Sequence, residues 1–208
     1  MLCGACFAAL PHHDFAACPQ CALPVAEAGS CGRCLADPPA FDRTRAAFEY
    51  RYPVAQLLHA FKYGNNLALG KFFAEVLLDA LGEESWPGLI VPMPLHSARL
   101  KERGFNQAAE IARRLAFATG TPLLLDDLRK IRDTKPQASL PWKERQANVK
   151  GAFACDINLH GQRVAVVDDV MTTGATLNEV AKTLKKRGAV KVDVWVAVRT
   201  LPDAAISV

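Results

Sequence analysis

Apolar residues recur along the chain with two periods, and the switching between them sets the expected architecture. In "PVAQLLHAFKYG", Val54, Leu57, Leu58 and Phe61 fall at i, i+3, i+4 and i+7, a helical stripe that opens on Pro53 and stops before Gly64. "GKFFAEVLLDALG" repeats the pattern with Phe73, Val76, Leu77 and Ala80, and "FNQAAEIARRLAFATG" with Ala108, Ile111, Ala112 and Leu115. A fourth stripe, Leu177, Val180, Ala181 and Leu184, ends at "KKRG", where cations and a glycine suit a helix C-terminus. Between these lie short apolar or alternating runs that read as strands: "AAFEYRY" (46–52), "GLIVPMP" (88–94), "TPLLLDDL" (121–128), "GAFAC" (151–155), "RVAVVDD" (163–169) and "AVKVDVWVAV" (189–198).

Strands that alternate with helices predict an α/β fold, a mainly parallel sheet flanked by helices, with ligands beyond the carboxyl ends of the strands. Two segments stand outside the pattern. Residues 1–40 have no hydrophobic period and are punctuated by proline, glycine and cysteine, so they predict a small module that a metal must stabilise. The boundary falls near "LADPPAFDR", giving an expected division into 1–40 and 41–208. Residues 132–150, "RDTKPQASLPWKERQANVK", are polar, basic and broken by proline, which predicts a long loop.

The densest chemistry lies at "RVAVVDDVMTTGATLNEV". A buried strand runs into Asp168 and Asp169, then a short polar loop, then a helix. A helix N-terminus favours phosphate, Gly174 lets the backbone turn closely, and Thr172, Thr173 and Thr176 add hydroxyls. Neither a nucleotide P-loop nor a dinucleotide glycine fingerprint is present. Adjacent carboxylates accept hydrogen bonds from vicinal sugar hydroxyls, so acids and loop together suit the two ends of a ribose 5-phosphate, and the acids also suit a hydrated Mg2+. Asp126–Asp127 also follow an apolar run but lack the T-T-G sequel, and read as an ordinary turn.

Charge sharpens this picture. The net charge is +4, yet the segment from His96 to Lys150 by itself sums to +6, as expected for a phosphorylated or polyanionic partner or, more simply, for solvated helix faces. Half the residues are apolar, but no run approaches the roughly 18 needed to cross a membrane. "MLCGACFAAL" lacks the pattern of a secretory signal, so the expected location is the cytoplasm. In that setting the C-x2-C pairs Cys3/Cys6, Cys18/Cys21 and Cys31/Cys34 read as metal ligands rather than disulfides. Cys18, Cys21, Cys31 and Cys34 make a compact Zn2+ set with a structural role. Cys3 and Cys6 are left over, either as free thiols or as replacements for one of those pairs, with His12 and His13 as candidates to complete a second site. Cys155 reads as a small buried hydrophobe.

Four hydrophobic residues, two acids, two spacers and "TTGAT" resemble the 5-phosphoribosyl 1-pyrophosphate (PRPP) motif of type I phosphoribosyltransferases. Together with "FKYG", "VPMPLHSARLKERGFNQA", "KPQASL", "RQANVKGAF" and "CPQCALP…CGRC", the chain resembles the ComF family over nearly its whole length. Members of that family carry a zinc module ahead of a phosphoribosyltransferase domain, and are linked to competence and the handling of incoming single-stranded DNA. The larger ones have four cysteine pairs.

The resemblance implies that Asp168 and Asp169 contact the ribose, with Mg2+, and that Thr172, Thr173, Gly174, Ala175 and Thr176 bind the 5-phosphate. It implies a pyrophosphate loop at Pro94, Leu95, His96 and Ser97, assisted by Arg103, and places Lys62 at the site. Asn106 and Gln107 either orient substrate or serve as polar residues of a helix's first turn, and His96 reads as structural rather than as a base. The basic loop carrying Arg132, Lys135, Gln137 and Arg145 resembles the catalytic loop that closes over leaving pyrophosphate, with Lys135 and Arg145 as catalytic candidates. The expected function is thus a Mg2+-dependent phosphoribosyltransferase whose acceptor the sequence does not name. The alternative is a non-catalytic module that binds single-stranded DNA or reads PRPP as a signal, with DNA-uptake proteins as partners. The oligomeric state is not set by these residues.

Overall fold

The computed structural model describes residues 2–64, 66–82, 86–132, 134 and 147–202. Two five-residue helices, α1 (Gly4–Ala8) and α2 (Gly32–Ala36), precede β1 (Arg43–Glu49). Helices α3 (Val54–Tyr63) and α4 (Ala68–Leu81) lead to β2 (Leu89–Pro92), followed by α5 (Ser97–Arg103) and α6 (Gln107–Thr119). A small antiparallel pair, β3 (Leu128–Lys130) and β4 (Phe153–Cys155), brackets the long loop. The chain then forms β5 (Arg163–Met171), α7 (Ala175–Lys186) and β6 (Lys191–Arg199).

The main sheet has the order β1-β6-β5-β2, and every pairing in it is parallel. Its central strands are apolar on both faces, as a sheet covered on both sides requires. Ala165 and Val167 of β5 join the core layer built with α3, α4 and α6, whereas Val164 and Val166 join the layer under α7. Alternation along one strand thus splits the core in two.

Several sequence expectations shift. β5 continues two residues past its expected end at Asp169, with Val170 and Met171 registered against Val198 and Arg199. β1 begins at Arg43 and ends at Glu49, three residues earlier than the aromatic alternation suggested. Up to Asp127, "TPLLLDDL" makes a single parallel bridge, Leu123 to Ile90, because Pro122 has no N–H to extend a ladder and Asp126–Asp127 turn the chain. The strand that does form there starts at Leu128. Helix α5 has no apolar stripe, and none of its residues is buried.

The N-terminal segment lies along β1 and under α7. Thr44 N–H donates to the Pro19 carbonyl at 2.9 Å, Glu49 N–H to Pro11 at 2.8 Å, and Ala40 N–H to Asn178 Oδ1 at 2.6 Å. Cys18, Cys21 and Cys34 belong to the same core layer as α7.

Candidate active site and cysteine cluster

The carboxyl ends of β2 and β5 open into a cavity of about 470 Å³. One wall is the run from Asp168 to Leu177, the second is Lys62 and Tyr63 at the end of α3, and the third is Met93, Pro94, Leu95, Arg99 and Arg103. Lys130, Thr134 and Phe153 close it on the side of the β3–β4 pair.

Asp168 and Asp169 sit on successive strand positions and meet different surroundings. Asp169 is buried and faces the α3 layer, where Lys62 Nζ lies 3.0 Å from its Oδ2. Asp168 Oδ1 accepts a 2.8 Å hydrogen bond from the Asp169 N–H. Burial, then the neighbouring Asp169 charge, push the Asp168 carboxyl up to about 8, although that N–H bond and Lys62 both pull it down. The pair therefore lacks a full complement of positive charge within the protein. Such a donor set fits a hydrated divalent cation or the hydroxyls of a sugar.

Thr172, Thr173 and Gly174 link β5 to α7. Gly174 has φ +81°, a conformation that L side chains rarely adopt, and a Cβ there would stand 2.7 Å from the Met171 methyl. Thr173 Oγ1 accepts from the Ala175 N–H at 3.2 Å, bracing the first turn of α7 beside the cavity. The start of a 12-residue helix adds the positive end of its dipole to this wall.

On the opposite wall, Arg103 closes α5. Its guanidinium lies 5.3 Å from the centre of the Tyr63 ring and donates to Tyr63 Oη at 3.4 Å and Gln107 Oε1 at 3.2 Å. Of the predicted pyrophosphate loop, Pro94 and Leu95 line the cavity, whereas His96 and Ser97 are not among its lining residues. His96 caps α5, its Nδ1 accepting from the Ala98 N–H at 3.4 Å, which is a structural role. Asn106 caps α6 by accepting from the N–H groups of Ala108 and Ala109, and its amide donates to the Met93 carbonyl at 3.0 Å. Gln107 is buried beside Arg103. Both act in holding the wall rather than facing the cavity.

Arg132 donates to the Asn148 and Lys150 carbonyls, at 3.1 and 2.6 Å, and ties the two ends of the long loop together. Lys135, Gln137 and Arg145 lie outside the described residues. Sequence reasoning missed Arg99, Tyr63, Lys130, Thr134 and Phe153. Arg99 carried a usable signal, its i, i+4 spacing from Arg103, but only once α5 is known to be a helix.

The second chemical centre is the cysteine cluster. The sulfur atoms of Cys18, Cys21, Cys31 and Cys34 all lie within 4.8 Å of one another, and those of Cys21 and Cys31 are 3.6 Å apart. Four thiolates around one tetrahedral zinc would have sulfurs about 3.8 Å apart, so the set fits a closed structural ion. Without a cation, burial pushes Cys21 up to about 11 and raises Cys34 as well. Burial also opposes ionisation of Cys18, but the N–H groups of Cys31, Cys21 and Gln20 outweigh it and bring that thiol to about 7. Cys3 and Cys6 are exposed and outside the cluster. His12 bonds the Phe7 carbonyl and His13 the Ala22 carbonyl, and among the described residues no second group of three or more metal ligands forms. Cys155 is buried, as expected.

A four-stranded parallel sheet with paired acids and a T-T-G-A-T turn at its carboxyl edge defines a phosphoribosyltransferase-type domain, and a profile of the phosphoribosyl transferase domain matches residues 100–204. The DNA utilization protein YhgH of Salmonella typhimurium is 36% identical over 191 residues, covering 88% of this chain and 84% of that protein. Competence protein F of Haemophilus influenzae is 33% identical over 174 residues, covering 79% of this chain and 76% of that protein. The chain belongs to the ComF family. Among the described residues, no helix is long and apolar enough to cross a membrane.

Proposed function

We propose that the protein binds PRPP in the cavity between α3, α5 and the β5–α7 turn, and acts as a Mg2+-dependent phosphoribosyltransferase within the DNA-utilization branch of biology for which its relatives are named. The observation that carries this reading is the convergence of Asp168, Asp169 and the Thr172–Thr176 turn on one wall, opposite Arg103. In this reading Asp168 and Asp169 accept hydrogen bonds from the ribose hydroxyls, and Lys62 holds the Asp169 carboxylate in place. The turn and the α7 N-terminus hold the 5-phosphate.

In this reading pyrophosphate extends towards the Pro94–Leu95 backbone and Arg103, which line the same cavity as Arg99 and Lys130. Arginine suits that group because its planar fork aligns two bonds to one phosphate. When pyrophosphate leaves, positive charge grows on the sugar and negative charge on the leaving group. The guanidinium stabilises the second. Mg2+, when bound, would neutralise further charge on the pyrophosphate. The acids are the residues that would hold it. Cys18, Cys21, Cys31 and Cys34 would hold a structural Zn2+.

A second reading has one observation in its favour: Tyr63 stacks with Arg103 in a cavity that also holds Arg99 and Lys130, a combination suited to single-stranded DNA. Calorimetric titration of the zinc-loaded protein with PRPP, with and without Mg2+, separates them. Saturable binding that disappears in Asp168→Asn/Asp169→Asn supports the transferase reading. No binding by the folded wild type overturns it, and a steep loss of oligonucleotide affinity with salt then favours the second.

A further inference from the structure

Arg199 ends β6 and is only 1% exposed. Its Nε donates to the Cys21 carbonyl at 2.8 Å, and its Nη1 to the carbonyls of Met171 at 2.9 Å, Thr200 at 2.8 Å and Thr172. Burial brings this guanidinium down to about 10, still charged at neutral pH. The next carbonyl, that of Thr173, accepts from Arg33 Nη2 at 3.1 Å. Arg33 itself stands between the cysteines of the Cys31/Cys34 pair. Three successive carbonyls of the β5–α7 turn are thus held by two arginines, one bonded to the first cysteine pair and the other carried by the second.

The peptide unit makes this arrangement consequential. In a planar trans peptide, the C=O of one residue and the N–H of the next point in opposite directions. Holding the carbonyls of Met171, Thr172 and Thr173 towards the arginines therefore fixes the N–H groups of Thr172, Thr173 and Gly174 on the other side of each plane. A preset row of N–H donors is what an anion-binding turn needs, and setting it in advance removes an ordering cost from binding.

We infer that the metal-bound cysteine cluster acts through Arg199 and Arg33 as a clamp on the phosphate turn, so that occupancy of the metal site and binding of a ribose 5-phosphate ligand are thermodynamically coupled. Arg199 and Arg33 are positioning residues in this scheme: they touch the turn's backbone, not the ligand. Loss of the ion lets the two cysteine pairs separate, which slackens both arginines and releases the carbonyls. Coupling between two binding sites is reciprocal, so a ligand that favours the clamped turn must tighten metal binding by the factor by which metal tightens the ligand. The inference rests on the turn's proposed role as the 5-phosphate site.

The test uses the full zinc-loaded chain, with ribose 5-phosphate as probe and a chromophoric chelator to time zinc release. The clamp predicts that saturating ribose 5-phosphate slows zinc loss several-fold in the wild type and much less in Arg33→Ala. It also predicts that Arg33→Ala binds the sugar phosphate about three- to tenfold more weakly, the loss expected for one hydrogen bond. Arg33 is exposed, so this variant keeps the core intact even if the companion Arg199→Lys does not fold. Calorimetric binding of ribose 5-phosphate with an unchanged zinc-release rate overturns the coupling and leaves the proposed function standing. If the zinc-loaded wild type binds no sugar phosphate, the proposed function falls, and amide hydrogen exchange decides the clamp alone. Faster exchange at Gly174, whose N–H shares a peptide plane with the Thr173 carbonyl, in zinc-loaded Arg33→Ala, with β5 unchanged, supports it; exchange equal to wild type overturns it.

Discussion

Lys62 Nζ and Asp169 Oδ2 form a 3.0 Å ion pair in which neither side chain is more than 18% exposed. It joins the last turn of α3 to the acid pair of β5, so a sheet residue and a helix residue fix one wall of the cavity together. Removing one partner from such a pair leaves a buried charge without compensation, which costs about 3–5 kcal/mol at well-buried sites and less where water reaches. Lys62→Met is therefore expected to destabilise the protein by about 2–4 kcal/mol at pH 8. Urea denaturation at two pH values checks this. The loss should be smaller at pH 5, where Asp168 is protonated, than at pH 8, where it is partly ionised and adds negative charge beside Asp169.

Asp168 makes stability and binding respond to pH in opposite senses. Its carboxyl rises from 3.8 in the ordinary case to about 8 in the folded protein, chiefly through burial. Between those values the folded state holds a proton that the unfolded state has lost. Its contribution to stability is then complete below about pH 4 and disappears as pH climbs to about 8. Asp168→Asn should flatten that part of the stability profile, raising stability relative to wild type most at pH 8 and above. Sugar-phosphate affinity should run the other way. If the ionised carboxylate accepts the hydroxyls, wild-type affinity in the absence of Mg2+ increases up to about pH 8 and then levels off. Calorimetry across that range, beside Asp168→Asn, reads both trends.

Gly174→Ala isolates the turn. The methyl would meet the flexible end of Met171, which can move aside, so the main penalty is the φ of +81°. A cost of about 1–2 kcal/mol is expected, seen as a lowered Tm. The phosphate turn should suffer more than the fold, with sugar-phosphate affinity falling by at least tenfold. An affinity equal to wild type would show that the turn does not carry the phosphate.

Much of this architecture was legible because it rests on local periodicity. The stripes that begin at Val54, Ala108 and Leu177 each became a helix with that face buried. The acid pair and T-T-G turn were readable because so few backbones need that residue order. What was not legible depends on contacts across long stretches of chain. Arg199 follows an apolar strand and reads as a simple end to it; its partners Cys21 and Thr172 are far away in sequence. The same holds for Tyr63, whose meaning comes from Arg103 folding back over it. Helix α5 escaped notice because it buries no side chain, so it has no hydrophobic signature to read. His96 was expected in the pyrophosphate loop; its side chain caps α5, and it is not among the residues that line the cavity.

The three cysteine pairs yield the last prediction, which concerns metal stoichiometry. Among the described residues, Cys18, Cys21, Cys31 and Cys34 gather their sulfurs within 4.8 Å, and three of these four residues are buried in the layer beneath α7. Cys3 and Cys6 share the C-x2-C spacing but are exposed, Cys3 capping and Cys6 within the five-residue helix α1, and they lie outside that cluster. Purified protein is therefore expected to retain one zinc per chain through the cluster, as counted by elemental analysis. Cys3→Ser/Cys6→Ser should keep that zinc and lose little stability, since exposed side chains remote from packing change stability by about 0.5 kcal/mol or less. Cys34→Ser should lose the ion and lower the Tm sharply, because the ligand it removes is buried and the segment before Phe41 has too little apolar surface to hold its shape unaided. Loss of zinc from Cys3→Ser/Cys6→Ser with retention in Cys34→Ser would reverse the assignment, and would mean that the ion is held by thiols the fold leaves at the surface.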